Sequence, residues 1–360
     1  MPITAVAGLA ALAVAMGIGR FAFTPILPMM QDDAGLSIAG GGWLASANYA
    51  GYLAGALSAI RLPLSSVAAI RAGLVIISVS TLAMGLRDGI KYWFAMRAAA
   101  GVGSAWVLVF VSAWALGKRA HGGAVYSGVG AGIVAAGGAC LALMAVHASS
   151  SAAWIAIGAM SFVVTTFLWR IFDFDPNPIR EVVGAIPRSR HGLLILCYGA
   201  FGFGYVIPAT FLPAMAREVI SNPVLFGWTW PVFGAAAAAS TLLAGSFPNQ
   251  RSVWIVAMLL MALGVVLPLI IPGLSGILIA AVLVGGTFMV ITMAGMQEAR
   301  RVAAEHARPL MAAMTSAFAL GQMAGPLWVG YKSSVAQVLL GGAAVLVLGA
   351  AALFRDGVKK

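Results

Sequence analysis

GIGRFAFTPILPMM (residues 17–30) holds a single cation, Arg20, in an apolar run that begins at Thr4 and meets no acidic residue until Asp32. An arginine deep in a membrane helix costs about 3 kcal/mol on insertion scales, and more in simulations, unless it is paired or hydrated. The setting of the stretch is therefore decisive. The chain has 360 residues, 62% hydrophobic and 9% charged, with a mean hydropathy of +1.00. Soluble domains carry about a quarter charged residues. Apolar runs of about 20 or more residues recur along the chain and do not alternate, which predicts an all-α polytopic membrane protein rather than a barrel.

Charged, Pro and Gly punctuation divides the chain into twelve predicted spans, near 4–30, 39–60, 65–86, 90–117, 121–146, 151–170, 191–216, 224–246, 252–271, 274–297, 308–331 and 333–354. The longest polar stretch, 171–190, separates residues 1–170 from 191–360, six spans from six. The first run has no charged leader and is too long for a signal segment, so it reads as a retained helix. An even span count puts both termini on one side. Fifteen of the 21 Lys and Arg then share that side, and only Arg87, Lys91, Arg217 and Lys332 lie opposite. The positive-inside bias makes the common side cytoplasmic. The net charge of +11 is scattered through short loops, with no basic cluster suited to nucleic acid. Cys140 and Cys197 each fall inside a span, without metal spacing.

The halves repeat. At a shift of 185, Gly17, Gly19, Leu27, Pro28 and Met30 recur as Gly202, Gly204, Leu212, Pro213 and Met215, and Gly42-Trp43 recurs as Gly227-Trp228. The echo GFGYVIPATFLPAM (202–215) carries Tyr205 in place of Arg20. Six spans per half give both halves the same orientation, the arrangement of repeats related by an axis along the membrane normal.

The chain resembles major facilitator superfamily transporters over essentially its whole length. RAAAGVGSAW (97–106) is similar to the fourth-helix signature, with an Arg one turn ahead of Gly-x-Gly. GVGAGIVAAGG (128–138) and GQMAGPLWVGY (321–331) resemble the Gly-rich signatures of the fifth and eleventh helices. GIGRFAFTPILPMM, GGWLASANYAGYLAGAL (41–57) and GFGYVIPATFLPAMAR (202–217) are similar to the YbfB/YjiJ-type bacterial branch. The resemblance implies two six-helix bundles, a substrate site between them and alternating access by rocking. It also implies that spans 5 and 11 meet between the halves. The loop between spans 2 and 3 departs from the family pattern. GALSAIRLPLSSVAAIRAG (55–73) has Arg61 and Arg71 but no Asp, so a latch by ion pairing there is in doubt.

At about 1.5 Å per residue, Arg20 lies roughly 15 Å and Arg97 roughly 10 Å from the outer ends of spans 1 and 4. Asn48 lies at similar depth. All ten Asp and Glu sit in loops or at span ends. Two embedded arginines without an internal acid suggest a hydrated cavity of positive potential for a carboxylate or phosphate. The candidate substrate residues are Arg20, Asn48, Tyr52, Arg97, Tyr205, Trp230 and Gln322, with Tyr49 alongside. Each has a packing alternative, and for Arg97 a structural or coupling role is weighed above direct contact. Gly17, Gly19, Gly51, Gly55, Gly101, Gly103, Gly128, Gly132, Gly321 and Gly325 would let helices approach closely. Pro25, Pro28, Pro208 and Pro213 would bend spans 1 and 7. His121, His147, His191 and His306 lie at span ends, poorly placed to carry a proton.

The expected function is transport of a small organic anion across a bacterial inner membrane by a monomer, with no cofactor, metal or nucleic acid. Coupling is left open between uniport, exchange and symport. The alternative is an exporter of lipophilic or drug-like compounds. A membrane enzyme lacks a nucleophile or metal constellation, and a sensor or scaffold has only the short central loop to signal with.

Overall fold

Span 1 does not run through as one helix. In the computed structural model, which describes residues 3–173, 188–219, 227–329 and 334–358, α1 (Ile3–Leu12) passes into a π-helical turn at Ala13–Ile18, and the chain resumes as α2 (Phe23–Asp33). The break lies ahead of both prolines expected to cause it. Pro25 has no N–H for the Phe21 carbonyl, and its ring excludes that carbonyl. The helical ladder therefore opens before Pro25. Pro25 itself lands in the first turn of α2, where its missing N–H goes unused.

The other elements are α3 (Ile38–Ala59), α4 (Ser66–Ala83), α5 (Ile90–Gly117), α6 (Gly122–Ala145), α7 (Ser150–Asp173), α8 (Arg188–Val219), α9 (Thr229–Ala244), α10 (Gln250–Ile270), α11 (Leu274–Ala303), α12 (Ala307–Val329) and α13 (Val335–Val358). The described residues are all helix, turn or loop. Side-chain caps set several starts. Ser37 Oγ accepts from Gly40 N at 3.0 Å, Ser65 Oγ from Ala68 N at 3.2 Å and Asn249 Oδ1 from Ser252 N at 3.1 Å. Each satisfies one of the N–H groups a helix start leaves open. The tight join between α10 and α11 turns on Gly273, whose φ of 82° suits a residue without Cβ.

Among the described residues, nine helical stretches are long and apolar enough to cross a membrane, and one of them, Leu274–Gly325, covers two predicted spans. Two other predicted spans form helices outside that set: α3, rich in Gly, Ala and polar residues, and α9, apolar but only 16 residues long. Large apolar side chains such as Phe167, Leu196, Leu243 and Leu348 stand exposed on the outer faces, the surface a bilayer would cover. The polar stretch 171–190 falls largely on residues 174–187, outside the described residues.

Within the first half, α5 packs on α3 and α4, α4 on α7, and α6 on α1 and the π turn. Within the second, α8 packs on α12 and α13, and α10 on α11 and α13. The halves meet where α6 lies along α9 and α3 along α12. This corrects the expectation that spans 5 and 11 meet each other. Their glycines are divided between tasks. A Cβ at Gly128 or Gly132 would collide with the backbone of Leu9 or Ala13, and one at Gly321 with the backbone of Gly199. These glycines therefore bring α6 onto α1 and α12 onto α8, inside each half. Only Gly130 of the 128–132 run faces the other half, against Gly234 and Ala238. The contact between α6 and α9 spans the full depth of the helices, from Gly123 beside Gly245 to Gly137 beside Pro231.

Candidate functional site

The π turn leaves carbonyls without their helical partners. Gly19 N bonds Val14 O and Arg20 N bonds Met16 O, so the Ala15 carbonyl is passed over. Ser104 Oγ of α5 takes it at 2.6 Å. The Gly19 and Arg20 carbonyls face the opened ladder. Arg97 donates to both, from Nη1 to Gly19 O at 3.2 Å and from Nη2 to Arg20 O at 3.3 Å. Asn48 Nδ2 adds a 3.4 Å bond to Gly19 O and a 3.0 Å bond to Arg97 O. The guanidinium of Arg97 also lies 4.7 Å from the centroid of the Phe23 ring. A buried cation thus stands at the carbonyl end of a half-helix, where the helix dipole is negative. Gly51, Gly55 and Gly101 make this reach possible by bringing α3 and α5 into backbone contact, and Gly103 does the same for α4 and α5.

Arg20 leaves the same break in another direction. It is only 5% exposed, and its Nη2 donates to Gln322 Oε1 of α12 at 2.7 Å, across the boundary between halves. Its guanidinium stands 4.0 Å from the centroid of Tyr52 and 5.6 Å from that of Tyr49. Among the described residues no carboxylate pairs with it, and its Nε has no hydrogen-bond partner. Among the described residues, neutral oxygen and ring contacts hold the charge, from Gln322, Tyr52, Tyr49 and Phe21.

Arg20, Tyr52, Tyr205 and Gln322 line one small central cavity. Its volume is about 10 Å³, enough for about one water. The two arginines do not share it: Arg97 and Asn48 lie outside its described lining, committed to the broken helix. Trp230 also stands back from the cavity, stacked on Phe233 at 5.2 Å and 6.1 Å from Phe21. Phe21, Tyr198, Phe288 and Phe318 complete the aromatic wall and were not among the candidates. Part of that wall was readable: Tyr198, Phe201 and Tyr205 fall at helical spacing on α8. Phe288 gives no such signal, since it sits in an apolar helix with many equivalent positions.

A family model described as the uncharacterised MFS-type transporter YbfB matches residues 12–354. The chain belongs to this family. Among solved structures, this transporter is similar to the crystal structure of the human organic anion transporter MFSD10 (TETRAN), with a TM-score of 0.74 and 12% identity. The likeness covers 98% of this chain and 100% of that one, and at such identity it establishes the shared fold. No curated protein matches the sequence. The transporter is a multi-pass membrane protein of the major facilitator superfamily.

At the end of the molecule holding the loop between α3 and α4, the transporter has a second contact between halves. Arg308, at the start of α12 and 2% exposed, donates to the carbonyls of Leu64 at 3.4 Å and Leu62 at 3.5 Å. It also lies 5.1 Å from the centroid of Phe110. The loop that lacks an Asp is held by its backbone, with the cation supplied from the second half. Close by, Glu298 is 1% exposed and accepts two bonds from Arg301, at 2.7 and 2.8 Å. Arg251 lies 3.6 Å from Glu298 and pairs with Asp356 at 2.6 Å. Arg251 and Arg301 have carboxylate partners here, and among the described residues Arg20 in the middle has none.

Proposed function

We propose that this transporter moves a small organic anion across a bacterial inner membrane by alternating access. Two six-helix bundles, residues 1–170 and 191–360, would rock about the Arg20 centre, with both termini cytoplasmic and 171–190 as the link. The observation that carries the reading is Arg20: a buried cation at the boundary between halves whose partners are the neutral Gln322 and the face of Tyr52. A carboxylate arriving there would form charge-assisted bonds roughly twice as strong as the neutral one it replaces. Gln322 would be released from Arg20 in the exchange. Substrate binding and a contact between the halves then compete for one guanidinium, which links occupancy to rocking. The human structural neighbour is named for organic anions, the same substrate class. The aromatic wall favours a second reading, export of lipophilic neutral compounds, but such a substrate would leave the Arg20 charge with no better partner than it already has.

A thermal-shift screen of the purified transporter against carboxylates, phosphates, amines and neutral drugs tests the reading, because a ligand of the native state raises its stability. Stabilisation by anions, lost in Arg20→Gln and partly kept in Arg20→Lys, is expected. Tight binding of cations, with Arg20→Gln indifferent, would overturn it.

A further inference from the structure

We propose that the anion is a flat aromatic monocarboxylate, held by its carboxylate on Arg20 and by its ring among the side chains of α8, α9, α11 and α12. The inference rests on the anion reading above and narrows it by charge number and by shape. Charge comes first. Of the two embedded arginines, only Arg20 borders the cavity, and Arg97 is bound to the Gly19 and Arg20 carbonyls. One cation, with no second one lining the cavity, suits one negative charge. A second carboxylate would be buried against rings without a partner, which is unfavourable for an ion taken out of water.

Shape comes from the wall. Trp230, Phe233, Phe288, Tyr205 and Phe318 form a continuous column of rings, with successive centroids 5.2, 5.3, 5.3 and 6.3 Å apart. Their successive interplanar angles are 1°, 24°, 18° and 27°. Near-parallel rings leave slots of one plane's thickness when they part. Phe21, the residue after Arg20, stands edge-on to Phe288 at 5.7 Å and so ties the cation to the column. Beyond Arg20 and Gln322, hydrogen-bonding groups in the lining are single hydroxyls, three of them at the tips of tyrosine rings. Thr292, the lining hydroxyl outside the tyrosines, already donates to the Phe288 carbonyl at 3.0 Å. A sugar or polyhydroxy acid would find few partners for its hydroxyls and would lose its water. A planar ring would meet the column by offset stacking, worth roughly a 2- to 12-fold gain in affinity per ring pair.

The test uses the full chain in detergent and matched probes: benzoate, cyclohexanecarboxylate, terephthalate and benzamide. Each is titrated against the thermal unfolding midpoint, a binding readout that passive leakage of the protonated acids does not disturb. Benzoate is expected to raise the midpoint. Cyclohexanecarboxylate, with the same charge and carbon count but no flat ring, should need roughly 3- to 10-fold more for the same shift. Terephthalate and benzamide should do little. Phe288→Leu should weaken the benzoate response to the level of cyclohexanecarboxylate, with Phe21→Leu as the second variant if the first does not fold. Equal responses to benzoate and cyclohexanecarboxylate would overturn the aromatic inference and leave the anion reading standing. Equal responses to benzoate and terephthalate would overturn the single charge. No response to any of the four would overturn this inference, while a shift with other anions would preserve the broader one. Benzamide matching benzoate, or an unchanged benzoate shift in Arg20→Gln, would overturn both.

Discussion

GIGRFAFTPILPMM and GFGYVIPATFLPAM share two glycines, a Leu-Pro pair and a methionine. The first is broken between Ala13 and Ala22, and the second lies inside α8, which continues from Arg188 to Val219 through Pro208 and Pro213. The difference comes from neighbouring helices. At the same shift of 185, Asn48 corresponds to Phe233 and Ser104 to Met289, while the position of Arg97 falls on Val282, which is half exposed where Arg97 is buried. In the first half these three side chains satisfy the carbonyls that the π turn frees. In the second half their counterparts are apolar and have nothing to donate. Irregular backbone at membrane depth is tolerated only where its polar groups are satisfied. The break in span 1 therefore depends on α3 and α5, and it turns Arg20 toward the centre, where α8 has Tyr205.

The comparison can be broken by removing the donors. Arg97→Leu strips the Gly19 and Arg20 carbonyls of their main partner and should destabilise the transporter by about 2–6 kcal/mol, roughly 1–3 kcal/mol for each buried carbonyl left unsatisfied. The midpoint of thermal unfolding in detergent measures it. Arg97→Lys, a single point donor that cannot fork between two carbonyls, should recover only part of that loss. The packing side of the comparison predicts equality instead. Gly17→Ala would drive a methyl into the Gly132 backbone, and Gly202→Ala into the Phe318 backbone. Each should cost about 1–3 kcal/mol by overpacking. A difference much larger than that between the two would show that the halves do not share their packing scheme. Asn48→Ala removes a neutral donor to two carbonyls and should cost about 1–2 kcal/mol. Ser104→Ala is expected to cost about 1 kcal/mol, the smallest of the series. Val282→Arg in the second half should not break α8, since Val282 stands half exposed and the Asn48 and Ser104 equivalents would still be missing. Hydrogen exchange at residues 202–209 that rose to the level of residues 17–24 in that variant would contradict the account.

Much of the architecture was legible from residues alone. Apolar runs and their punctuation located most of the described helices to within a few residues, because a segment that crosses lipid needs a long and mainly apolar run. The glycines of 51–55, 128–132 and 321–325 were legible as contact points, because a missing side chain has one common use between membrane helices. Which partner each glycine touches was not legible. Gly128 and Gly130 differ by two positions, about 200° around a helix, and so serve different neighbours. The site was half legible. Arg20, Tyr52, Tyr205 and Gln322 border the cavity, while Arg97 and Asn48, at the same depth, face the backbone of span 1. Depth follows from counting along one helix; direction depends on how helices are rotated against one another.

By itself the sequence determined the membrane class, the helices, the repeat and the odd charge of Arg20, since all of these follow from hydropathy, spacing and a residue's cost in lipid. The tertiary structure decided that Arg97 caps a broken helix, that Gln322 reaches Arg20 from the other half, and that a column of rings stands beside them. Those facts are pairings between residues up to 302 positions apart, and a hydrogen bond or a ring stack is formed only when packing brings both partners to one place.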